Sequence, residues 1–223
     1  MREKQIKKIP LSRKFEVSSH FVGFPTANSA FFSRFNFQTL LTGTGAGIES
    51  PPSTAENPGI IRLLTGTAGG SSRSGIRTAS SVVTGGADIE IEALYRVTQV
   101  AAKAEDYEYW VLAGDNSGGV PTNGAYIYFD WSVSTNIQCI CKNAGQATTV
   151  ISRTPETTQW TKVNLKIPAS ATSATFTFND SDIVTITSNI PQSFGIQAVM
   201  SKFAGVVNQG FDLDYLRVGF SLP

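Results

Sequence analysis

Charge is the first thing this sequence is short of. Asp, Glu, Lys and Arg make up 16% of its 223 residues, against roughly 25% in an average soluble domain. With so few charges and a formal net charge of +1, the chain is not composed as a general nucleic-acid binder, which needs a dense basic surface. Histidine is nearly missing: His20 is the single one. A Ser–His–Asp or Cys–His nucleophile would have to be built on that residue, and no His/Cys/Asp cluster has the spacing of a zinc site. Two cysteines, Cys139 and Cys141, stand in "QCIC". On a strand such neighbours lie about 6.6 Å apart, a poor geometry for a disulfide, so they read as free thiols of a chain made in a reducing compartment. No stretch approaches the ~20 apolar residues of a membrane span. Internal repeats, heptads and low-complexity linkers are also missing, which excludes a solenoid or a coiled-coil fibre shaft.

What is present is β-sheet material. Apolar residues form 41% of the chain, enough for a sizeable core, and Thr, Ser, Gly and Asn fill the places that charge leaves. "ADIEIEALYRVTQV" (87–100) is the longest alternating run: Ile89, Ile91, Ala93, Tyr95 and Val97 face one way, and Asp88, Glu90, Glu92, Arg96 and Thr98 the other. "YEYWVLAG", "AYIYFDWSV", "NIQCICKN", "ATTVISRT" and "TKVNLKIP" follow, separated by turn signals such as Asn123–Gly124 and Asn143–Ala144–Gly145. "ATFTFNDSDIVTITSNIP" (174–191) reads as a hairpin on a polar turn, stopped by proline. Strands at intervals of about 8–12 residues indicate an all-β, single antiparallel β-sandwich. "AAKAED" (101–106) could carry a helical turn, and Phe31, Phe35 and Phe37 suit a half-buried strand. The glycines of residues 42–59 precede no P-loop Lys-Ser/Thr, so they read as a loop and no cofactor is expected.

The charge that exists is unevenly placed. Residues 1–14 hold six Lys/Arg (Arg2, Lys4, Lys7, Lys8, Arg13 and Lys14) and one Glu, ahead of a mildly acidic body. This arm has no apolar core of 7–15 residues, so it does not read as a secretory signal. We expect two parts: residues 1–20 as a basic extended anchoring arm, and residues 21–223 as the sandwich. The arm would dock on an acidic protein surface, because complementary charge steers and orients association.

From Gly124 onward, "GAYIYFDWSV", "TTVISRTPETTQWTKVNLKI", "ATFTFNDSDIVTITSNIP" and "FDLDYLRV" together resemble the concanavalin A/LamG-type jelly-roll domain of tailed-bacteriophage structural proteins. The resemblance covers residues 89–220 at most, and its specificity lies in the order and spacing of the segments. It implies a non-enzymatic virion protein, made in the host cytoplasm: a capsid decoration or auxiliary head protein, or a small fibre or tail component. It also implies virion partners and a homo-oligomer, with a trimer as the family's habit.

Two further readings remain. Retaining glycosidases of the same jelly roll carry an acidic strand of the pattern Glu-x-Asp-x-(x)-Glu, which "DIEIE" (88–92) resembles. Here Asp88 stands where that pattern has its nucleophilic Glu, and Glu90 where it has the helper Asp. A shorter nucleophile would retreat about 1.5 Å, and a misplacement of that order can cost about 100-fold; a solvated sheet face explains the same alternation. The other reading is a lectin-like module binding a host surface glycan. Tyr107, Tyr109, Trp110, Tyr126, Tyr128 and Trp131 are the aromatics available for sugar stacking or a subunit contact. Since Tyr126 and Tyr128 alternate with Ile127 and Phe129, one of the two pairs must face the core. A calcium ion held by Asp115, Asn116, Asp130 or the 179–182 turn is conceivable, but turn chemistry accounts for those residues without it.

Overall fold

In residues 88–97 every second side chain is apolar, and the chain buries that set while the other faces outward, in strict alternation along ten residues. The same period-two logic repeats through the molecule. The computed structural model describes residues 14–20, 37–51, 59–78, 82–98, 106–115, 119–151, 153–154 and 159–221. Among these, strands follow in the order β1 (Lys14–His20), β2 (Phe37–Thr42), β3 (Gly47–Glu49), β4 (Ile61–Leu64), β5 (Ser72–Thr78), β6 (Val82–Val83), β7 (Asp88–Val97) and β8 (Tyr107–Gly114). Then come β9 (Gly124–Asp130), β10 (Gln138–Asn143), β11 (Gln146–Ile151), β12 (Thr161–Ile167), β13 (Ala174–Phe178), β14 (Asp182–Ile186), β15 (Ser193–Lys202) and β16 (Gly210–Ser221). No helix occurs among the described residues, and none there is long and apolar enough to cross a membrane.

The strands form two antiparallel sheets. The first runs β14-β13-β12-β7-β16-β4-β3, and the second β11-β10-β9-β8-β15-β5-β2, with β6 added to β15. β16 is long enough to take two partners along one edge: Gly210–Leu213 pair with β4 and Tyr215–Ser221 with β1. Residues 14–20, which the sequence placed in the arm, are therefore a strand of the first sheet. On its other side β16 pairs with β7, with a register shift between Leu213 and Tyr215.

The inner faces meet in one core. Tyr95 of β7 stacks on Phe211 of β16 at 5.2 Å, and Tyr109 of β8 on Phe129 of β9 at 5.3 Å. Tyr109 also lies 5.4 Å from Phe211, so these rings join the two sheets; each such pair adds about 0.5–1.5 kcal/mol beyond its buried area. Cys139 and Cys141 point the same way from β10, neither in a disulfide and both buried in this core. Burial pushes the Cys141 thiol up to about 12, so it remains an inert, protonated core group. The expected hairpin is β13–β14, with Phe176 and Phe178 fully buried. Its turn puts Asn179 and Asp180 at φ 47° and 61°, the left-handed region that Asn and Asp tolerate best among residues with a side chain. The positions called strand at 31–36 and helical turn at 101–105 lie outside the described residues.

Candidate functional site

The outer face of the first sheet carries the acidic strand. Asp88, Glu90 and Glu92 share one face of β7, as read from the sequence, and each is met by a neighbouring element. Asp88 Oδ1 accepts the Ala169 backbone N–H at 2.7 Å. Asn164 of β12, paired opposite Glu92, donates its amide to Glu90 at 2.7 Å and to Glu92 at 3.4 Å. Tyr215 of β16 donates its hydroxyl to Glu92 at 2.8 Å, and burial, reinforced by that carboxylate, raises the Tyr215 hydroxyl above its ordinary value. Lys166 Nζ stands 3.7 Å from Glu90. An open cavity of about 450 Å³ lies at the end of this strand, walled by Asp88, Glu90, Lys166, Pro168, Thr175 and Ser221. Farther along the sheet, Asp212 is fully buried beneath Arg62 and Arg96, at 2.6 Å from each, and Arg96 lies 4.7 Å over the Trp160 ring.

The outer face of the second sheet is different in kind. Register brings Arg73, Ser201, Glu108 and Asp130 into one row across β5, β15, β8 and β9, and Val199, Trp110, Tyr128 and Gln138 into the next. Trp110 is fully buried at the centre of a small second core with Tyr126, Ile140 and Val199, flanked by Leu40, Val120 and Tyr128. The Arg73 guanidinium lies 5.4 Å over its ring, while Arg73 Nε donates to Ser201 Oγ at 2.7 Å. The Tyr128 hydroxyl stands 2.7 Å from Glu108 Oε2 and 2.9 Å from Asp130 Oδ2. Burial pushes the Glu108 carboxyl above the usual carboxylate range, against the pull of the Tyr128 hydroxyl. Glu108 Oε1, Trp110 Nε1 and Gln197 Nε2 are buried without a hydrogen-bond partner among the described residues.

The aromatics named from the sequence thus divide. Trp110, Tyr126 and Tyr128 share the second sheet's outer face. Tyr107 and Tyr109 belong to the core between the sheets, so Tyr109 cannot meet a sugar or a subunit: its odd position puts it in phase with Val111 and the core. Trp131 follows β9, half-buried, 5.8 Å from Phe129. Trp110 sits under Arg73 and the second core, so it is packing rather than an open platform. Of the arm residues, Lys14 opens β1, and Arg2, Lys4, Lys7, Lys8 and Arg13 lie outside the described residues.

The described residues of the oxygen-rich turns are engaged by the fold itself, and Asn116 lies outside the described residues. Asp115 Oδ2 accepts the Thr122 and Asn123 backbone N–H groups at 2.8 Å each, and Asp130 Oδ1 accepts the N–H and hydroxyl of Ser132. Among the described residues no three His, Cys, Asp or Glu side chains gather around a common point suited to a metal. A second cavity, about 270 Å³, is lined by Thr42, Arg73, Ser201, Lys202 and Phe203. Its cations are already engaged: Lys202 Nζ donates to the Gly66 carbonyl at 2.6 Å, and Arg73 to Ser201.

Sequence reasoning passed over Glu108 and Arg73, and it named Asp130 only as a turn residue or a conceivable calcium ligand. Glu108 stands in "YEYWVLAG" with no spacing motif around it. The β8–β9 register alone brings it beside Asp130, and "YEYW" and "YFDW" both look like generic strand.

No family model and no curated protein matches the sequence. Solved structures do match in shape. The carbohydrate recognition domain of Emp46p, in its metal-free form, superposes with a TM-score of 0.58 at 11% identity, covering 90% of this chain and 94% of that one. Peanut lectin gives 0.55 at 10%, covering 95% and 99%. The Bacillus licheniformis beta-glucanase gives 0.56 at 15%, covering 91% and 97%. The chain has the concanavalin-like jelly-roll fold. At these identities the likeness is one of architecture, shared by lectin-type proteins and a glucanase alike, and a shared fold does not carry a site with it.

Proposed function

We propose that the chain is a non-catalytic structural protein of a tailed-bacteriophage particle. It acts as a capsid decoration or auxiliary head protein, or as a small fibre or tail component, docked by its basic N-terminal segment and assembled as a homo-oligomer. The observation that carries this reading is where the phage-like segments fall. "GAYIYFDWSV" supplies β9, "TTVISRTPETTQWTKVNLKI" runs from β11 through β12, "ATFTFNDSDIVTITSNIP" supplies β13 and β14, and "FDLDYLRV" lies in β16. The segments that carry the resemblance therefore supply strands to both sheets of the sandwich.

The state of the carboxylates supports the non-catalytic part. Retaining sugar hydrolysis wants two carboxyl groups about 5–5.5 Å apart with the glycosidic bond between them. Glu90 and Glu92 converge instead on the Asn164 amide, and the space between Glu108 and Asp130 is filled by the Tyr128 hydroxyl. The test is co-purification: the full chain should sediment with particles, and a chain lacking residues 2–13 should not. Retention of the shortened chain would refute docking through that segment.

A lectin-like role in which the same protein binds a host glycan is favoured by one feature, the half-buried Tyr128 beside Gln138 and Asp130 on the second sheet's outer face. Binding on a glycan array that is lost in Tyr128→Ala, with folding intact, would establish it. Turnover of a β-glucan that disappears in Glu92→Gln would replace the proposal with a glycosidase.

A further inference from the structure

The Tyr128 hydroxyl has one hydrogen and two carboxyl oxygens within hydrogen-bond reach, Glu108 Oε2 at 2.7 Å and Asp130 Oδ2 at 2.9 Å. It can donate to one of them. Were both carboxyls ionised, the other contact would set a phenolic lone pair against a charged oxygen at bonding distance. A second proton, on a carboxyl, turns that contact into a hydrogen bond.

The surroundings decide which carboxyl holds it. Asp130 Oδ1 already accepts two bonds from Ser132, at 2.8 and 2.6 Å, so that oxygen is committed to donors. Burial opposes the charged form of Glu108 more strongly than the Tyr128 hydroxyl and Arg73 draw it that way: the residue is 2% exposed, and its Oε1 has no hydrogen-bond partner among the described residues. The titratable and charged groups facing it are Tyr128 and Asp130 from β9, Arg73 from β5 and Asp106 just ahead of β8; β15 presents the Ser201 hydroxyl in the same row. Arg73 is the one cation among these groups and favours a charge on Glu108, while its guanidinium also lies over Trp110 and its Nε donates to Ser201. The two aspartates work against a charge on Glu108.

We propose that Glu108, Tyr128 and Asp130 form a clasp between β8 and β9 in which two protons, one of them on Glu108, join the three side chains through the Tyr128 hydroxyl, and that release of the Glu108 proton loosens the outer face of the second sheet. In the closed clasp the protonated Glu108 Oε2 donates to Tyr128 Oη, and Tyr128 donates to Asp130 Oδ2. On release the proton passes to solvent and leaves two carboxylates facing one hydroxyl. The sign follows from linkage. The unfolded chain loses the Glu108 proton in the ordinary carboxylate range while the folded chain still holds it, so the contribution is complete below that range. It is lost as pH rises through the folded value. The inference stands apart from the proposed function and would hold for a lectin or a building block alike.

The test is a pH titration of the whole protein carrying ¹³C-labelled glutamate carboxyls, followed by NMR. One carboxyl signal should titrate above all the others, be missing in Glu108→Gln, and move down toward the others in Asp130→Asn, where the like charge is removed. The melting temperature of the unmodified protein should fall across the interval in which that signal titrates, and that of Glu108→Gln should stay level there. If every glutamate of the unmodified protein titrates together in the ordinary range, the clasp does not exist; this result needs no variant to fold. Persistence of the high signal in Glu108→Gln, or an equal fall in its melting temperature, overturns the assignment as well.

Discussion

Trp110 illustrates how much a single residue's role depends on neighbours the sequence does not name. Its strand phase is legible, since it alternates with Tyr109 and Val111, but that phase does not say which of the two faces meets the other sheet. Its burial is not legible, because Val199, Tyr126 and Ile140 come from three other strands and Arg73 from a fourth. Trp110→Ala should therefore cost about 3–5 kcal/mol of stability, the range for emptying a large buried aromatic site, read as a shifted urea midpoint with the slope unchanged. A loss below about 1 kcal/mol would mean that the ring is an open surface feature after all. Tyr128 is the better probe for glycan contact, being half-buried. Tyr109 was misjudged as a contact residue because phase on a strand does not say which of its faces meets the other sheet.

At the scale of elements, β7 and the β13–β14 hairpin were the most readable, and for physical reasons. An unbroken ten-residue alternation admits one way of burying its apolar side, and "FNDSDI" combines strand residues with a turn that tolerates positive φ. The turn also reaches outward: Asn179 Oδ1 accepts the Lys162 backbone N–H at 2.9 Å. Asn179→Ala should lose that bond and meet the left-handed penalty together, about 2 kcal/mol, whereas Asn179→Gly should lose the bond alone. Equal stability of the two variants would contradict this division. β8 was harder to read, because Leu112 adopts φ 100° and turns into the core beside Val111 and Ala113, a break in alternation that no local residue announces. β1 was missed as a strand because its partner, the second half of β16, lies about two hundred residues away. Its pairing makes a sharp prediction by truncation. A chain lacking residues 2–20 should melt several degrees below one lacking residues 2–13, since the outer edge of Tyr215–Ser221 is then unpaired. Equal melting temperatures would mean that β1 adds nothing to the sheet.

At the scale of the whole molecule, the two outer faces bear on the proposed role. On the first sheet, Asn164, Tyr215 and the Ala169 N–H hold the acidic strand, and on the second, Tyr128 spans Glu108 and Asp130. These groups are committed to the protein itself, which is the state on which the proposed non-catalytic role relies. The sheet architecture could be read in advance from strand spacing; the commitment of the carboxylates could not, because it depends on pairing across strands distant in sequence. The most direct measurement is quantitative mass spectrometry of purified particles of the phage proposed to encode this chain. The account predicts the chain in every preparation, at a fixed copy number relative to the other virion proteins and unchanged by repeated banding. Its absence from intact particles, with the protein left in the lysate supernatant, would contradict the claim that this sandwich is a building block.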